Sequence, residues 1–509
     1  MMNKHLFIIV FLLLKQNLFS QESTYRNPVI AYDFPDPTVI RVGNTYYAAG
    51  TSGESAPPYR AYESKDLINW KFIGHLFKEM PEWTMGSYWA PELFYHNNTY
   101  YAYYTARRKS DRQSFIGVAT TDNLHKGFTD HGMMIEWTNE AIDAFAIELD
   151  EKVYITWKAY GLDSDRVIQI LGAELSDDAL SVKGEAFTLL EANVSDWEAG
   201  GIEGQCLVKH GDYIYMFYAG NSCCGLNCNY MTGVARAKNI KGPWERYSGN
   251  PILVGDEHWK CPGHGTLVAT PNDRYFFMYH AYNVITNLYA GRQGMIDEIL
   301  WDEKTGWPYF RYGITPSLQA ETPFPETVQE KIRDFVDDFS SSEFSSEWTW
   351  AASQPKPELS IKNNKLELKG NDSPIGSFLG LHPRKSGYCL IATVEKTHSS
   401  SGICFSGGKY NAVGLSLRNT NIEFWKVSNG NQTIIETIPF KLNTASLFLS
   451  VSTGHICRFG YVNEEGDSVF IGEPIPLPGL PQRERLVQPG IHSKGLDVGR
   501  FDSIKIRYD

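Results

Sequence analysis

Five polar residues recur at a steady interval, each in otherwise apolar or Gly/Pro-rich surroundings: Asp36 in DFPDPTVI, Glu92 in YWAPELF, Asp143 in EAIDAFAI, Glu203 in GGIEGQCL and His264 in CPGHGTLV. Successive members lie 56, 51, 60 and 61 residues apart. Carboxylates that meet in a confined space raise one another's pKa, which opposes stability and favours proton transfer. Taken singly, each has a plain structural reading. Asp36 precedes Pro37 and suits a turn, Asp143 suits an Asx-turn, and Glu203 among glycines suits a loop cap. Their common phase is what argues for a shared acid–base site.

That phase follows a second repeat, which supplies the elements to position them. A polar turn followed by a strand dense in Tyr and Phe occurs five times: NTYYAAGTS from Asn44, NTYYAYYTA from Asn98, EKVYITWKAY from Glu151, GDYIYMFYAG from Gly211 and DRYFFMYHAY from Asp273. Further strands follow in SFIGVATTDNL, ILGAELSDDAL and TGVARAKNIKGPW, with looser equivalents in YRAYESKDLINW and GRQGMIDEILW. The spacing of 53 to 62 residues suits a four-stranded propeller blade with generous loops. One blade cannot bury both faces alone, so five predict a closed ring, a five-bladed β-propeller over residues 21–316. The period-two aromatic runs argue against a helical solenoid. Innermost strands line the propeller channel, so one residue per blade converges on the axis. Residues 317–334 are polar, follow directly on Pro316, carry two prolines and lack the repeat, and read as a linker. From 335 to 509, short alternating strands such as KLELKG, YCLIATVEK and FDSIKIRYD predict a second all-β domain, a β-sandwich.

The chain has 509 residues, too many for one ordinary core, and a formal net charge of -12. It has no long run of Lys and Arg, which argues against nucleic acid as a partner and favours neutral ligands. Lys4 and His5 precede an apolar run from Leu6 to Leu14 and a polar segment ending at Ser20. This reads as a signal peptide over residues 1–20, cleaved before Gln21 although Leu18 departs from the small-residue rule, and predicts a secreted or periplasmic protein. The run is short for a membrane span, and no other stretch is long enough, so no transmembrane segment is expected. Of eight cysteines, Cys206, Cys223, Cys224, Cys228 and Cys261 fall in the first domain and Cys389, Cys404 and Cys457 in the second. Each set is odd, predicting a free thiol in each domain or a bridge between them. No His accompanies the NSCCGLNCNY segment, which favours a loop-bracing disulfide over zinc.

From Asn27 to Tyr312, the ordered segments NPVIAYDFPDPTVIRVGNTYY, SYWAPELFY, EAIDAFAI, GGIEGQCLV and GHGTLV resemble the motif set of glycoside hydrolase family 43. The resemblance implies an inverting mechanism on a five-bladed propeller, with Asp36 as general base, Glu203 as general acid and Asp143 tuning and orienting the acid. Inversion requires the two carboxyls about 6.5–9.5 Å apart, with water activated on one face of the sugar and the leaving oxygen protonated on the other. A negative Asp143 would raise the pKa of Glu203 and keep it protonated near neutral pH. Glu92, His264 and Arg292 are candidates for gripping sugar hydroxyls, and Trp89 for an apolar platform. No cofactor is expected to be required. The resemblance leaves room for a structural Ca2+ in the channel near His264, but hard cations prefer oxygen, which favours a substrate or water contact for that histidine.

Two features depart from the family pattern: Gln205 follows Glu203-Gly204 where the family commonly has Pro, and the vicinal pair Cys223–Cys224 occupies an uncommon loop. The C-terminal region resembles the jelly-roll, concanavalin-like sandwich attached to some members. The expected activity is exo-acting release of arabinofuranose or xylose from plant or algal polysaccharides or oligosaccharides. A galactose- or galactofuranose-releasing hydrolase is an alternative motivated by Gln205. A non-catalytic carbohydrate-binding propeller is a further one, against which the presence of both Asp36 and Glu203 argues.

Overall fold

The computed structural model describes residues 23–225, 227–286, 290–408, 410–452, 456–476 and 488–508. The expected signal peptide lies outside them. Among the described residues the regular structure is strand, apart from one 3-10 turn at Leu124–Lys126, and no helix is long and apolar enough to cross a membrane.

The aromatic repeats form the second strand of each blade, where rings and β-branched side chains fit a pleated surface. Blade two shows the pattern: Trp89–His96, Thr99–Arg107, Ser114–Thr121 and Thr129–Ile135 pair antiparallel in sequence order. Its first hairpin turns at Asn97 and Asn98, both at positive φ, as a tight two-residue turn demands and as Asn tolerates. Blades one, three and four repeat this order, starting with Thr38–Val42, Ala141–Leu149 and Ile202–His210. Blade five is built differently. Its strands Trp259–Ala269, Tyr275–Asn283 and Arg292–Trp301 are completed by Ile30–Asp33 from the start of the chain. This latch closes the ring without a covalent bond and sets Asp36 directly beside the strand that begins with Arg292. Rings such as Tyr103, Phe115 and Trp157 fill the space between neighbouring blades.

The stretch expected as linker is partly structured: Gln319–Glu321 pairs with Thr24–Arg26 and so belongs to the propeller. Phe335–Asp337 then opens the sandwich, whose two sheets have eight and six strands. The sandwich docks on blade one, where Trp350–Ala351 pairs with Ser55–Ala56. Tyr59, Leu76 and Phe77 of the propeller share one buried cluster with Trp348, Trp350 and Leu379 of the sandwich, so the apolar core runs across the junction.

Candidate active site

Each innermost strand breaks its ladder where it reaches the axis. Pairing slips between Trp89 and Glu92, between Ile142 and Phe145, between Glu203 and Cys206, and around Gly263. At these bulges Ala90, Asp143, Gly204 and His264 take positive φ, and Asp36, just ahead of the first strand of blade one, does the same. Bulges re-aim side chains at rims and sites. The residues in true phase are therefore Asp36, Ala90, Asp143, Gly204 and His264. Glu203 lies one position before its bulge residue and Glu92 two positions after, which corrects the expectation of five equivalent positions.

A second ring stands behind the first. The eighth residue of each aromatic repeat, counted from its opening turn residue, is Thr51, Thr105, Lys158, Tyr218 or His280, polar in every case. Thr51 Oγ1 donates to Asp36 Oδ2 at 2.7 Å and accepts from the Ala90 N–H at 2.7 Å. Thr105 Oγ1 accepts from the Asp143 N–H at 3.2 Å, and His280 Nδ1 from the Asp36 N–H at 3.0 Å. Lys158 Nζ donates to Glu203 Oε2 at 2.7 Å. Tyr218 instead reaches a neighbouring loop and donates to Glu198 at 2.7 Å. Sequence reasoning missed this column, although its phase with the aromatic repeat was a usable signal.

The first ring is tightly packed. Arg292 Nη1 donates to Asp36 Oδ1 at 2.8 Å. His264 Nδ1 stands 3.5 Å from Asp36 Oδ1 and 3.7 Å from Asp143 Oδ2, and thus bridges the two acids. The Gly204 N–H donates to Asp143 Oδ2 at 3.2 Å, and Tyr230 OH to Glu203 Oε1 at 2.9 Å. The Tyr230 ring in turn stacks on His280, with centroids 5.8 Å apart. Gly204 has φ +59, and a Cβ there would stand 2.6 Å from His264 Cγ, so only glycine fits this approach.

Burial pushes the Asp36 carboxyl up, but Arg292, His264, His280 and the Thr51 hydroxyl overcome it and hold Asp36 below the usual carboxylate range. Asp143 has no arginine or lysine in contact. Burial, with the charges of Glu203 and Asp36, pushes it up to about 7 against the pull of His264 and Lys158. Glu203 is also raised by burial, but Lys158 above all, with His264 and Tyr230, holds it below its ordinary value. This corrects the expectation that Asp143 keeps Glu203 protonated. In the free enzyme the ammonium of Lys158 outweighs the neighbouring carboxylate, so Asp143 has the higher proton affinity of the two.

Glu92 is not part of this cluster. It accepts from Thr38 Oγ1 at 2.7 Å, one layer further down the channel, and burial pushes its carboxyl up to about 8. Trp89 lies near the Arg107 guanidinium, 5.7 Å from its ring centroid. Gln205 is buried, and its amide donates to the Asp143 carbonyl at 2.5 Å and to Thr156 Oγ1 at 3.2 Å. It braces the bulge and does not face the pocket.

Calcium takes about six to eight oxygen ligands. Beside His264 stand the carboxylates of Asp36 and Asp143, and no group of three His, Cys, Asp or Glu able to hold a metal occurs among the described residues. These residues do not fit a protein-ligated calcium site. Disulfides join Cys223 to Cys224 and Cys228 to Cys261, bracing the loop as expected.

The family model "Glycosyl hydrolases family 43" matches residues 25–308, more than half of the chain. The chain belongs to glycoside hydrolase family 43. It is similar to the non-reducing end α-L-arabinofuranosidase BoGH43B of Bacteroides ovatus, 26% identical over 77% of this chain and 74% of the relative. It is also similar to the xylan 1,3-β-xylosidase of a Vibrio species, 27% identical over 59% of this chain, which spans 60% of that enzyme's length. The family 43 protein BlXynB of Bacillus licheniformis shares the fold over 96% of this chain and all of its own, with a TM-score of 0.82 at 20% identity. As a family 43 member the protein is a glycosidase acting on carbohydrate, and its fold is the propeller followed by the sandwich.

Proposed function

We propose that the pocket removes single terminal arabinofuranosyl or xylosyl units with inversion, Asp36 acting as general base, Glu203 as general acid and Asp143 as the residue that tunes the acid. The observation that carries this reading is the opposite electrostatic treatment of the carboxyls. Asp36 is held ionised by Arg292, as a base that activates water must be. Glu203 sits in a separate polar setting made by Lys158 and Tyr230, with Asp143 as a nearby proton reservoir. Below about pH 7 the Asp143–Glu203 pair carries one proton, titrating as a unit. Substrate entering between Lys158 and Glu203 would weaken their contact and let the proton pass to Glu203, which then donates it to the leaving oxygen. His264, between the two acids, is placed to hold a hydroxyl of the sugar.

Narrow access supports exo action. The side chains of Asp36, Asp143 and Glu203 are 10%, 7% and 18% exposed, which suits one terminal sugar better than a chain lying across an open cleft. The names of the two curated relatives support arabinofuranose and xylose as the released sugars. Gln205, the motive for a galactose-releasing alternative, is turned away from the pocket and gives that reading no support. The candidate leader supports a secreted or periplasmic setting. The test is Glu203→Gln on nitrophenyl α-L-arabinofuranoside and β-xyloside alongside an unactivated oligosaccharide. The reading expects a loss of about 10²–10⁴-fold on the oligosaccharide, the usual weight of a general acid, and a smaller loss on the activated glycosides. Equal activity of wild type and variant on the oligosaccharide would overturn it.

A further inference from the structure

Where the sandwich meets blade one, an enclosed cavity of about 10 Å³, room for one water-sized sphere, is lined by Arg60 and His75 of the propeller and His382 of the sandwich. Arg60 Nη1, His75 Nε2 and His382 Nδ1 are all buried and have no hydrogen-bond partner among the described residues. Three buried nitrogens left in this way would each incur a desolvation penalty. The His382 tautomer follows from its other nitrogen. The Gln488 amide faces His382 Nε2 at 3.4 Å and can only donate, so Nε2 accepts and Nδ1 carries the hydrogen that borders the cavity.

Charge decides what these donors would hold. Arg60 pairs with Glu347 at 2.7 Å, but the other oxygen of Glu347 pairs with Arg384 at 2.8 Å. Two guanidiniums therefore share one carboxylate, with Arg60 buried, Glu347 mostly buried and Arg384 exposed, and the trio carries one net positive charge. Asp33, the acid on the cavity wall, is committed elsewhere: its Oδ1 accepts from the Arg292 N–H at 3.0 Å. Burial pushes Asp33 up to about 7, so its own negative charge is reduced at and below neutral pH. Burial likewise holds His75 and His382 well below the ordinary histidine value, so both are neutral and add no charge; His382 donates through Nδ1, and His75 donates through Nε2 in one of its two tautomers.

We propose that this cavity is a binding site for a single small monatomic anion of the halide type, held by Arg60, His75 and His382 between propeller and sandwich. The enclosure excludes polyatomic anions such as sulfate, and the positive excess favours an anion over water. The site also touches the catalytic machinery. Thr51, which orients Asp36, lines the same cavity, so an anion here fixes the sandwich against the segment that carries the base.

The experiment has two arms. Crystals of the full chain soaked in bromide are expected to give an anomalous peak among Arg60 Nη1, His75 Nε2 and His382 Nδ1; its absence at saturating bromide, with only a water there, would overturn the proposal. In solution, the unfolding midpoint is expected to rise by about 3 °C in chloride over gluconate at equal ionic strength. His382→Phe, which removes one donor and fills the space, should abolish that difference. A midpoint that does not distinguish the two salts in the wild type, or a chloride effect that survives in the variant, would refute the site.

Discussion

Replacing Lys158 with Met keeps the length of the side chain and removes the cation 2.7 Å from Glu203 Oε2. Two unit charges about 4 Å apart attract by about 4 kcal/mol at an effective dielectric constant of about 20, and the loss of hydration of both groups offsets part of this. An opposite charge at such range lowers a carboxyl pKa by about 1–3 units, which at about 1.4 kcal/mol per unit is about 1.4–4 kcal/mol. The sign is fixed by chemistry. Glu203 must be protonated to donate, so kcat/KM falls as pH rises through the upper pKa of the Asp143–Glu203 pair. Without Lys158, burial and the Asp143 charge act unopposed, that pKa rises, and the basic limb should move about 1–3 units toward alkaline pH. The assay is the pH profile of kcat/KM on an unactivated oligosaccharide, where protonation of the leaving group matters most, with a nitrophenyl glycoside as control. A basic limb that stays in place while the enzyme remains folded would refute the claim that Lys158 sets the proton affinity of the acid.

Arg292→Met should raise the pKa of Asp36, because its largest opposing charge is gone; activity, which needs the ionised base, should then fall at acidic pH where the wild type stays active, as an acidic limb in kcat/KM would show. Glu92→Gln is expected to leave kcat/KM at neutral pH within about twofold, because the buried carboxyl, pushed up to about 8, is already mostly protonated and bonded to Thr38. The same variant should lose part of the decline in stability that the wild type shows as pH rises from the ordinary carboxylate range toward 8, where the unfolded chain releases a proton that the folded one keeps; denaturant melts at several pH values would record it. Gly204→Ala should cost at least about 1 kcal/mol in stability from its positive φ, and more in activity, since the added methyl meets His264. Serine at both Cys228 and Cys261, which closes a 33-residue separation, should lower stability by up to about 4 kcal/mol and loosen the loop that leads to Tyr230, read as a lower melting point and a lower kcat.

The ring and its acids were legible because periodicity carries them. Five aromatic strands and five axial motifs share one interval, and no local feature of Asp36 or Asp143 alone would have sufficed. The interval could not fix registration to a single residue. A bulge inserts a residue at the very position that faces the axis, which is why Glu92 fell out of the cluster and Gly204, not Glu203, took the equivalent place. Lys158 was overlooked because a lysine within ITWKAY reads as one polar residue on an alternating strand. Its effect on Glu203 depends on depth and contact, which alternation does not encode. The docking of the sandwich was illegible for a different reason: Ser55–Ala56 and Trp350–Ala351 are two-residue strands too short to carry a pattern. The latch strand Ile30–Asp33 pairs with a partner more than 250 residues away, a contact that local sequence cannot signal.

The central claim is that Asp36 directs water to one face of the sugar while Glu203 protonates the leaving oxygen on the other. A proton-NMR time course of hydrolysis, read before mutarotation scrambles the product, tests it most directly. A first-formed sugar of inverted anomeric configuration is the predicted result, and a first-formed sugar that retains the configuration of the substrate would contradict the account.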